Sequence, residues 1–403
     1  MIHLFEELCM NDDHVKMVRA ELEAVTTSVY LNTGTAGPLP RAALDALITE
    51  THHDFQRGRA DIIAYERVLA TFAELRAAFA RLLGVASDEI AITHHTSEGM
   101  NIGSWGLNWQ RGDELLITNL EHEGGLLPAY AVGQRFGVDV RVAELGLGDD
   151  PDAVLTALDQ AITPRTRLLS ISHVSWSSGV CLPLAEIVAL AHRRGVLVLV
   201  DGAQSAGAMP LDLHASGVDL YAVPGQKWLC GPEGIGALYV RRDRITLLRP
   251  TFVSFFSLRD PESYTLSGDF LYAEGARRYE VGTVFRPGLY AMLASLDWLE
   301  HSVGWDWAFG RIHQLAERAR ALLSTLPGIT ILTADPHAGL IAFTIAGLNP
   351  TTTAEFLRAQ GIIIRTIPVP GSYVLRVSTG FYNTEDELVR LRDALATLIE
   401  RRS

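Results

Sequence analysis

From residue 89 to residue 240 the chain alternates short β-rich runs with stretches whose apolar residues recur near helical spacing. The runs fall at 89–93, 114–118, 138–144, 166–173, 196–200, 220–223 and 235–240, and segment 184–194 is an example of the helical stretches. Strands that alternate with helices predict βαβ units and a mostly parallel sheet covered on both faces. The run Val196-Leu-Val-Leu-Val200 is apolar throughout and predicts a central, buried strand. From 250 to 280 the pattern breaks into aromatic, Gly and polar residues, which predicts a long irregular excursion. Helical spacing resumes over 290–302 and 305–326. The remainder reads β-β-α-β-β-α, at 329–332, 340–345, 352–360, 362–366, 373–377 and 385–400, a compact α+β unit beginning near Pro287.

The length of 403 residues suits two or three domains at ~150 residues each. A net charge of −13 argues against nucleic acid or an anionic membrane surface as a partner. The longest apolar runs, such as 195–200, are far short of the ~20 residues of a membrane span. The start Met1-Ile-His-Leu-Phe-Glu-Glu lacks the basic and apolar parts of a signal peptide, so a cytoplasmic protein is expected. Cys9, Cys181 and Cys230 are scattered and form no CxxC, which argues against a disulfide framework and against a metal cage. Lysine occurs only at Lys16 and Lys227, a bias that base composition explains. Its consequence is chemical: because Lys16 lies in a polar N-terminal stretch, an amine-dependent reaction here would fall to Lys227.

Ligands of open α/β sheets sit beyond the carboxyl ends of the strands. After 89–93 comes His94-His95-Thr96-Ser97-Glu98-Gly99, a polar turn into a helix, suited to a phosphate although such a turn is more often a plain N-cap. After 114–118 comes Asn119-Leu-Glu121-His122, which brings an imidazole to the same edge. After 196–200 comes Asp201-Gly-Ala-Gln204, whose carboxylate alone would read as a cap. After 220–223 comes Pro224-Gly225-Gln226-Lys227-Trp228, then Gly231-Pro-Glu-Gly234-Ile-Gly236. A lysine confined in such a turn loses hydration, which favours the neutral amine and a Schiff base with an aldehyde. No dinucleotide or Walker A fingerprint is present. An Asp at one strand end and a lysine 26 residues later at the next suggest pyridoxal 5'-phosphate (PLP), which needs an amine, an acid for its ring nitrogen and donors for its phosphate.

The segments Asp201-Gly-Ala-Gln204, Gly225-Gln226-Lys227-Trp228 and Gly231-Pro232-x-Gly234-x-Gly236 resemble the class V aminotransferase family, which includes cysteine desulfurases, isopenicillin N epimerase and kynureninase-like enzymes. The resemblance runs from Tyr30-Leu-Asn-Thr-Gly-Thr-Ala-Gly37 to Arg376-Val-Ser378 and Tyr382-Asn383-Thr384. It is nearest the cystine C–S lyase type, on Trp105-Gly-Leu-Asn-Trp109, Trp176 before Ser177-Ser178-Gly179, and Ile364-Arg365-Thr366-Ile367. It implies the PLP-dependent transferase fold type I. A large domain over 30–286 would carry a mostly parallel seven-stranded sheet, with a small α+β domain over 287–403 and residues 1–29 associated with the small domain.

The resemblance also implies roles. Lys227 would bond the cofactor and move the Cα proton, Asp201 would pair with the ring nitrogen, and Gln204 with the ring hydroxyl oxygen. His122 would stack on the ring and assist proton transfer. Thr96, Ser97 and Gln226 would bind the phosphate, joined by Thr283 from a neighbouring subunit, which makes a homodimer with a shared site. Arg376 would grip the amino-acid carboxylate with its planar fork, helped by Arg365. Asn32, Thr35 and Trp176 would line the substrate side.

Two departures stand out. Pro224 and Gln226 occupy positions where the family has Ser or Thr and His, so the phosphate site is short of donors. The desulfurase loop cysteine is missing from 367–375, which disfavours persulfide transfer. The expected reaction is therefore β-elimination at a C–S bond of cystine or an S-substituted cysteine. Transamination, epimerisation and desulfurase-like sulfur release without the loop cysteine stand as alternatives, and a non-catalytic binding relative is disfavoured.

Overall fold

The structure is a computed structural model that describes residues 12–60, 62–260, 262–369 and 371–401. Cys9 lies outside the described residues. The strands are β1 (Val29–Tyr30), β2 (Ile90–Thr93), β3 (Glu114–Thr118), β4 (Asp139–Ala143), β5 (Thr166–Ser172), β6 (Leu197–Asp201), β7 (Leu220–Pro224), β8 (Gly236–Val240), β9 (Ile329–Ile331), β10 (Leu340–Ile345), β11 (Ile362–Ile363), β12 (Arg365–Val369) and β13 (Ser372–Ser378). β2 to β8 form one seven-stranded sheet in the order β2-β8-β7-β6-β5-β3-β4. β8 alone runs against its neighbours, and the other pairs are parallel. The sheet is the one predicted, with each strand end within one residue of its sequence pattern.

Period-two geometry divides the apolar side chains of each strand between the two faces. Val198 and Val200 of β6 enter one buried cluster with Leu75, Phe79, Ile187 and Val188. Leu199 enters the other, with Met100, Ile102, Ala129 and Val132 from the helices Thr96–Trp105 and Glu123–Phe136. Strands buried on both faces need apolar residues throughout, which is why Val196–Val200 carries no alternation.

A second sheet, β12-β13-β10-β9, is antiparallel. It packs under the helices Trp305–Ser324 and Glu385–Glu400 in a core containing Leu315, Leu323, Phe343, Leu391 and Leu395. β1 pairs in parallel with β11, and Val29 and Leu31 join that core. The single strand expected over 362–366 is split at Ile364, because its first half pairs with β1 and its second with β13. The helix expected over 290–302 starts earlier, at Arg286, and ends in a π turn, Leu299–Val303. The excursion over 250–280 is irregular as expected, with isolated bridges at Leu258–Tyr272 and Tyr264–Phe270.

From β1 the chain crosses to the lysine turn, where Gly37 N–H donates to Gln226 O at 2.7 Å. A Cβ on Gly37 would lie 2.2 Å from Lys227 O, so only glycine permits this approach. Among the described residues, no helix is long and apolar enough to cross a membrane.

Candidate active site

The carboxyl ends of β3, β5, β6 and β7 and the start of the helix Thr96–Trp105 converge on a cavity of about 210 Å³. Of the residues anticipated from sequence, Thr35, Thr96, Ser97, His122, Trp176, Asp201, Gln204, Gln226, Lys227, Arg365 and Arg376 line it.

Lys227 stands in the turn after β7. Gly225 N–H donates to Ile235 O, Gly231 N–H to Gly225 O and Cys230 N–H to Lys227 O, which closes the turn. Its amine makes no hydrogen bond or ion pair among the described residues. Desolvation pulls Lys227 down to about 8, reinforced by Arg376 and opposed by Asp201. At pH 7 roughly a tenth of such an amine is neutral, against about 0.03% for an ordinary lysine. Lys16 is a surface residue paired with Asp13 at 3.2 Å.

Asp201 ends β6, buried, opposite Ser172 of β5 in the sheet register. Its Oδ1 accepts the Ala203 N–H at 2.9 Å. Gln204 is held by Nε2 donating to Gly34 O at 2.8 Å and by Oε1 accepting from Trp228 Nε1 at 3.0 Å.

His122 is the N-cap of the helix Glu123–Phe136, its Nδ1 accepting the Gly124 N–H at 3.0 Å. Its ring meets Trp176 edge-on, centroids 4.7 Å apart. Desolvation and then the nearby Lys227 hold its imidazole below the usual range, which favours the neutral, proton-accepting form.

The start of the helix Thr96–Trp105 forms another part of the cavity wall. Its N-cap, His95, accepts the Glu98 N–H on Nδ1 at 3.1 Å. Thr96 Oγ1 and Gln226 Oε1 are buried without any protein partner. The orphaned Thr96 hydroxyl, at a helix N-terminus, can donate to a phosphate, whereas Gln226 could do so only through its Nε2. Pro224 lines the cavity and has no N–H or hydroxyl to donate.

At the opposite end Arg376 is buried, 2% exposed, with Nη1 donating to Trp176 O at 2.7 Å and Nε unpartnered. Arg365 faces it directly across the β12–β13 pair. Burial and then Arg365 pull Arg376 down to about 9. A buried cation beside a second cation, with no acidic partner among the described residues, is built for an anionic ligand group.

Two anticipated residues lie outside this cavity. Asn32 stands behind Thr35 and accepts its hydroxyl on Oδ1 at 2.8 Å. Thr283, at a left-handed φ of 66°, lies on the wall of a separate cavity of about 660 Å³ with Arg59, Phe255, Phe285 and Arg286. The cavity also includes residues given no role from sequence: Gly34, Ala203 and Ile367, which lie inside quoted motifs, and Ser172 and Val174, which do not. Ser172 had a partial signal, because it is the last but one residue of the strand predicted over 166–173; its pairing with Asp201 came only with the register. Ile367 had none, since its position depends on the hairpin register.

The residue set therefore fits PLP: a dehydrated amine, a buried carboxylate, an imidazole against an aromatic neighbour, and an orphaned hydroxyl at a helix start. Comparisons with known proteins agree. Residues 29–391 match the family model described as Aminotransferase class-V. The chain is 33% identical to an isopenicillin N epimerase of Streptomyces clavuligerus over 388 residues, covering 92% of this chain and 95% of that protein. It is 30% identical to a cysteine desulfurase of Enterobacter sp. (strain 638) over 399 residues, covering 94% and 96%. Among solved structures it is similar to C-DES, a cystine C–S lyase, at 34% identity. A C-DES variant with glycine covalently linked to the PLP cofactor gives a TM-score of 0.88 over 94% of this chain and 98% of that one. The complex of C-DES with cysteine persulfide gives 0.86 over 92% and 98%.

Fold and site define a PLP-dependent enzyme. The chain belongs to the class V aminotransferase family, in the cysteine desulfurase and C–S lyase group.

Proposed function

We propose that this enzyme catalyses β-elimination at the C–S bond of cystine or an S-substituted cysteine, yielding pyruvate, ammonia and a sulfur product. The observation that carries this reading is the hairpin over 367–375. β12 and β13 pair out to Val369 and Ser372, and the stretch holds no cysteine. The two described cysteines are poor substitutes. Burial pushes Cys230 up to about 12 and Cys181 up to about 11, so neither offers a thiolate to accept sulfur. Sulfur would therefore leave as a free product.

When bound, PLP supplies an aldehyde for amine capture and an electron-withdrawing ring that eases removal of the Cα proton. Asp201 would hold the ring nitrogen protonated. Gln204 would meet the ring hydroxyl oxygen, and Thr96, Ser97 and Gln226 the phosphate. Arg376, with Arg365 at the mouth, would orient the substrate carboxylate, which places the Cα–H toward Lys227. The lysine amine takes that proton, and the sulfur departs with the Cβ–S electron pair and a proton. One water hydrolyses the unsaturated amine to pyruvate and ammonia. His122, held edge-on against Trp176 and favouring its neutral form, would assist these proton movements.

Incubation of the PLP-loaded enzyme with cystine is expected to release pyruvate and a persulfide in equal amounts. Alanine with released sulfur would indicate desulfuration. A sulfur-containing keto acid would indicate transamination, and loss of optical rotation without cleavage epimerisation. Any of these in place of pyruvate would sink the elimination reading.

A second copy of the chain would complete the site. Thr283 is held in a strained backbone conformation and shares its cavity with exposed Phe255 and Phe285. An apolar face with a strained polar residue supports a homodimer in which Thr283 reaches the partner's phosphate site. Sedimentation equilibrium is expected to return twice the 44.1 kDa chain mass. A fully active monomer would exclude the shared site.

A further inference from the structure

The sheet edge that carries Asp201 also holds a carboxyl group with no part in the mechanism above. Glu121 follows β3 and is buried. Its Oε1 accepts Thr118 Oγ1 at 2.5 Å and its Oε2 accepts Ser172 Oγ at 2.8 Å. Ser172 lines the cavity and is the register partner of Asp201. The backbone oxygen of Glu121 accepts Trp176 Nε1 at 3.3 Å. Among the described residues its carboxyl has no ion-pair partner. One residue thus ties β3, the end of β5 and the indole that packs on His122.

We infer that Glu121 is a positioning residue that adds or withdraws a negative charge beside Asp201 as it loses or gains a proton, and so tunes the ring-nitrogen end of the cofactor site. The inference rests on Asp201 as the ring-nitrogen partner and is independent of which reaction follows. Two hydroxyl donors stabilise the ionised carboxylate, but burial and the like charge of Asp201 oppose it. Burial outweighs the rest and pushes Glu121 up to about 7. The surrounding titratable groups are His122 and Glu123 on its own segment, His173 at the end of β5, Asp201 on β6, and Lys227 and Arg376 across the cavity. Of these, His173 is pulled down to about 4 by burial and stays neutral, and its Nδ1 lies 2.7 Å from the Tyr221 hydroxyl. Below neutrality Asp201 would then be the lone negative charge at the ring-nitrogen end of a bound cofactor. Above neutrality a second negative charge stands behind it and strengthens proton retention on the ring.

The test is a pH titration of the visible absorption of the PLP-loaded protein, comparing wild type with Glu121→Gln. Wild type is expected to show a transition near pH 7 that the glutamine variant loses, with the band itself retained. Identical profiles in two loaded proteins would overturn the inference. Should Glu121→Gln fail to load, Ser172→Ala keeps the carboxyl but withdraws one donor from its ionised form, so the transition moves to higher pH. An unmoved transition would be equally fatal. Unfolding of both variants by circular dichroism would leave a purely structural role and also overturn it. Asp201→Asn in the same titration separates the underlying assignment: an unchanged band there would refute Asp201 as the ring partner, whatever Glu121 does.

Discussion

Lys227→Ala is expected to abolish the visible absorption band of the loaded enzyme and to lower kcat by about 10³-fold or more, the size of a lost positioned acid–base group. The amine is the one group in the cavity that can both capture an aldehyde and take a proton from Cα. The other lysine pairs with Asp13 on the surface and cannot replace it. Folding is expected to survive. The side chain makes no hydrogen bond among the described residues, and removing an ammonium pulled down to about 8 relieves a desolvation cost. Absorption spectra, pyruvate release and thermal unfolding of the same preparation check all three statements. A variant that keeps a tenth of its turnover would place the proton transfer on another residue.

Arg376→Ala is expected to reduce kcat/KM by about 10²–10³-fold, which corresponds to roughly 3–4 kcal/mol of lost charge-assisted binding to a desolvated carboxylate. Arg376→Lys is expected to recover only part of the loss, because a single ammonium cannot reproduce the two parallel bonds of a guanidinium. Stability should move differently from activity. Without ligand, Arg376 is a buried cation opposite Arg365, so truncation removes a repulsion along with some packing. The ligand-free Tm is therefore expected to stay level or rise. A pH profile adds a check. The guanidinium stays protonated across the working pH range, so the loss in Arg376→Ala should be nearly independent of pH. A kcat/KM within twofold of wild type in Arg376→Ala would refute the assignment.

Much of the site was legible because its residues terminate strands whose composition is unambiguous. Asp201 ends the most apolar run in the chain, and Lys227 follows the next strand between glycines. Their places at one sheet edge follow from parallel topology alone. Glu121 was less legible, although it sits beside His122 in a segment that attracted attention. Its interest comes from burial under Ser172, which is 51 residues away in sequence. The Arg365–Arg376 juxtaposition similarly depends on the β12–β13 register, and the break at Ile364 arises because one short segment serves two sheets.

Local pattern determined the seven strands, their parallel character and the residue types at their carboxyl ends, because side-chain periodicity and burial act over a few neighbours. It also determined that no cysteine stands between 367 and 375. Only the tertiary structure decided how those ends face one another. The strand order placed Ser172 between Glu121 and Asp201, the crossing at Gly37 seated the N-terminal loop on the lysine turn, and the small-sheet register buried Arg376 against Trp176 O. These contacts join segments far apart in the chain. Their energies depend on desolvation and distance in the folded state, quantities that no local window of sequence contains.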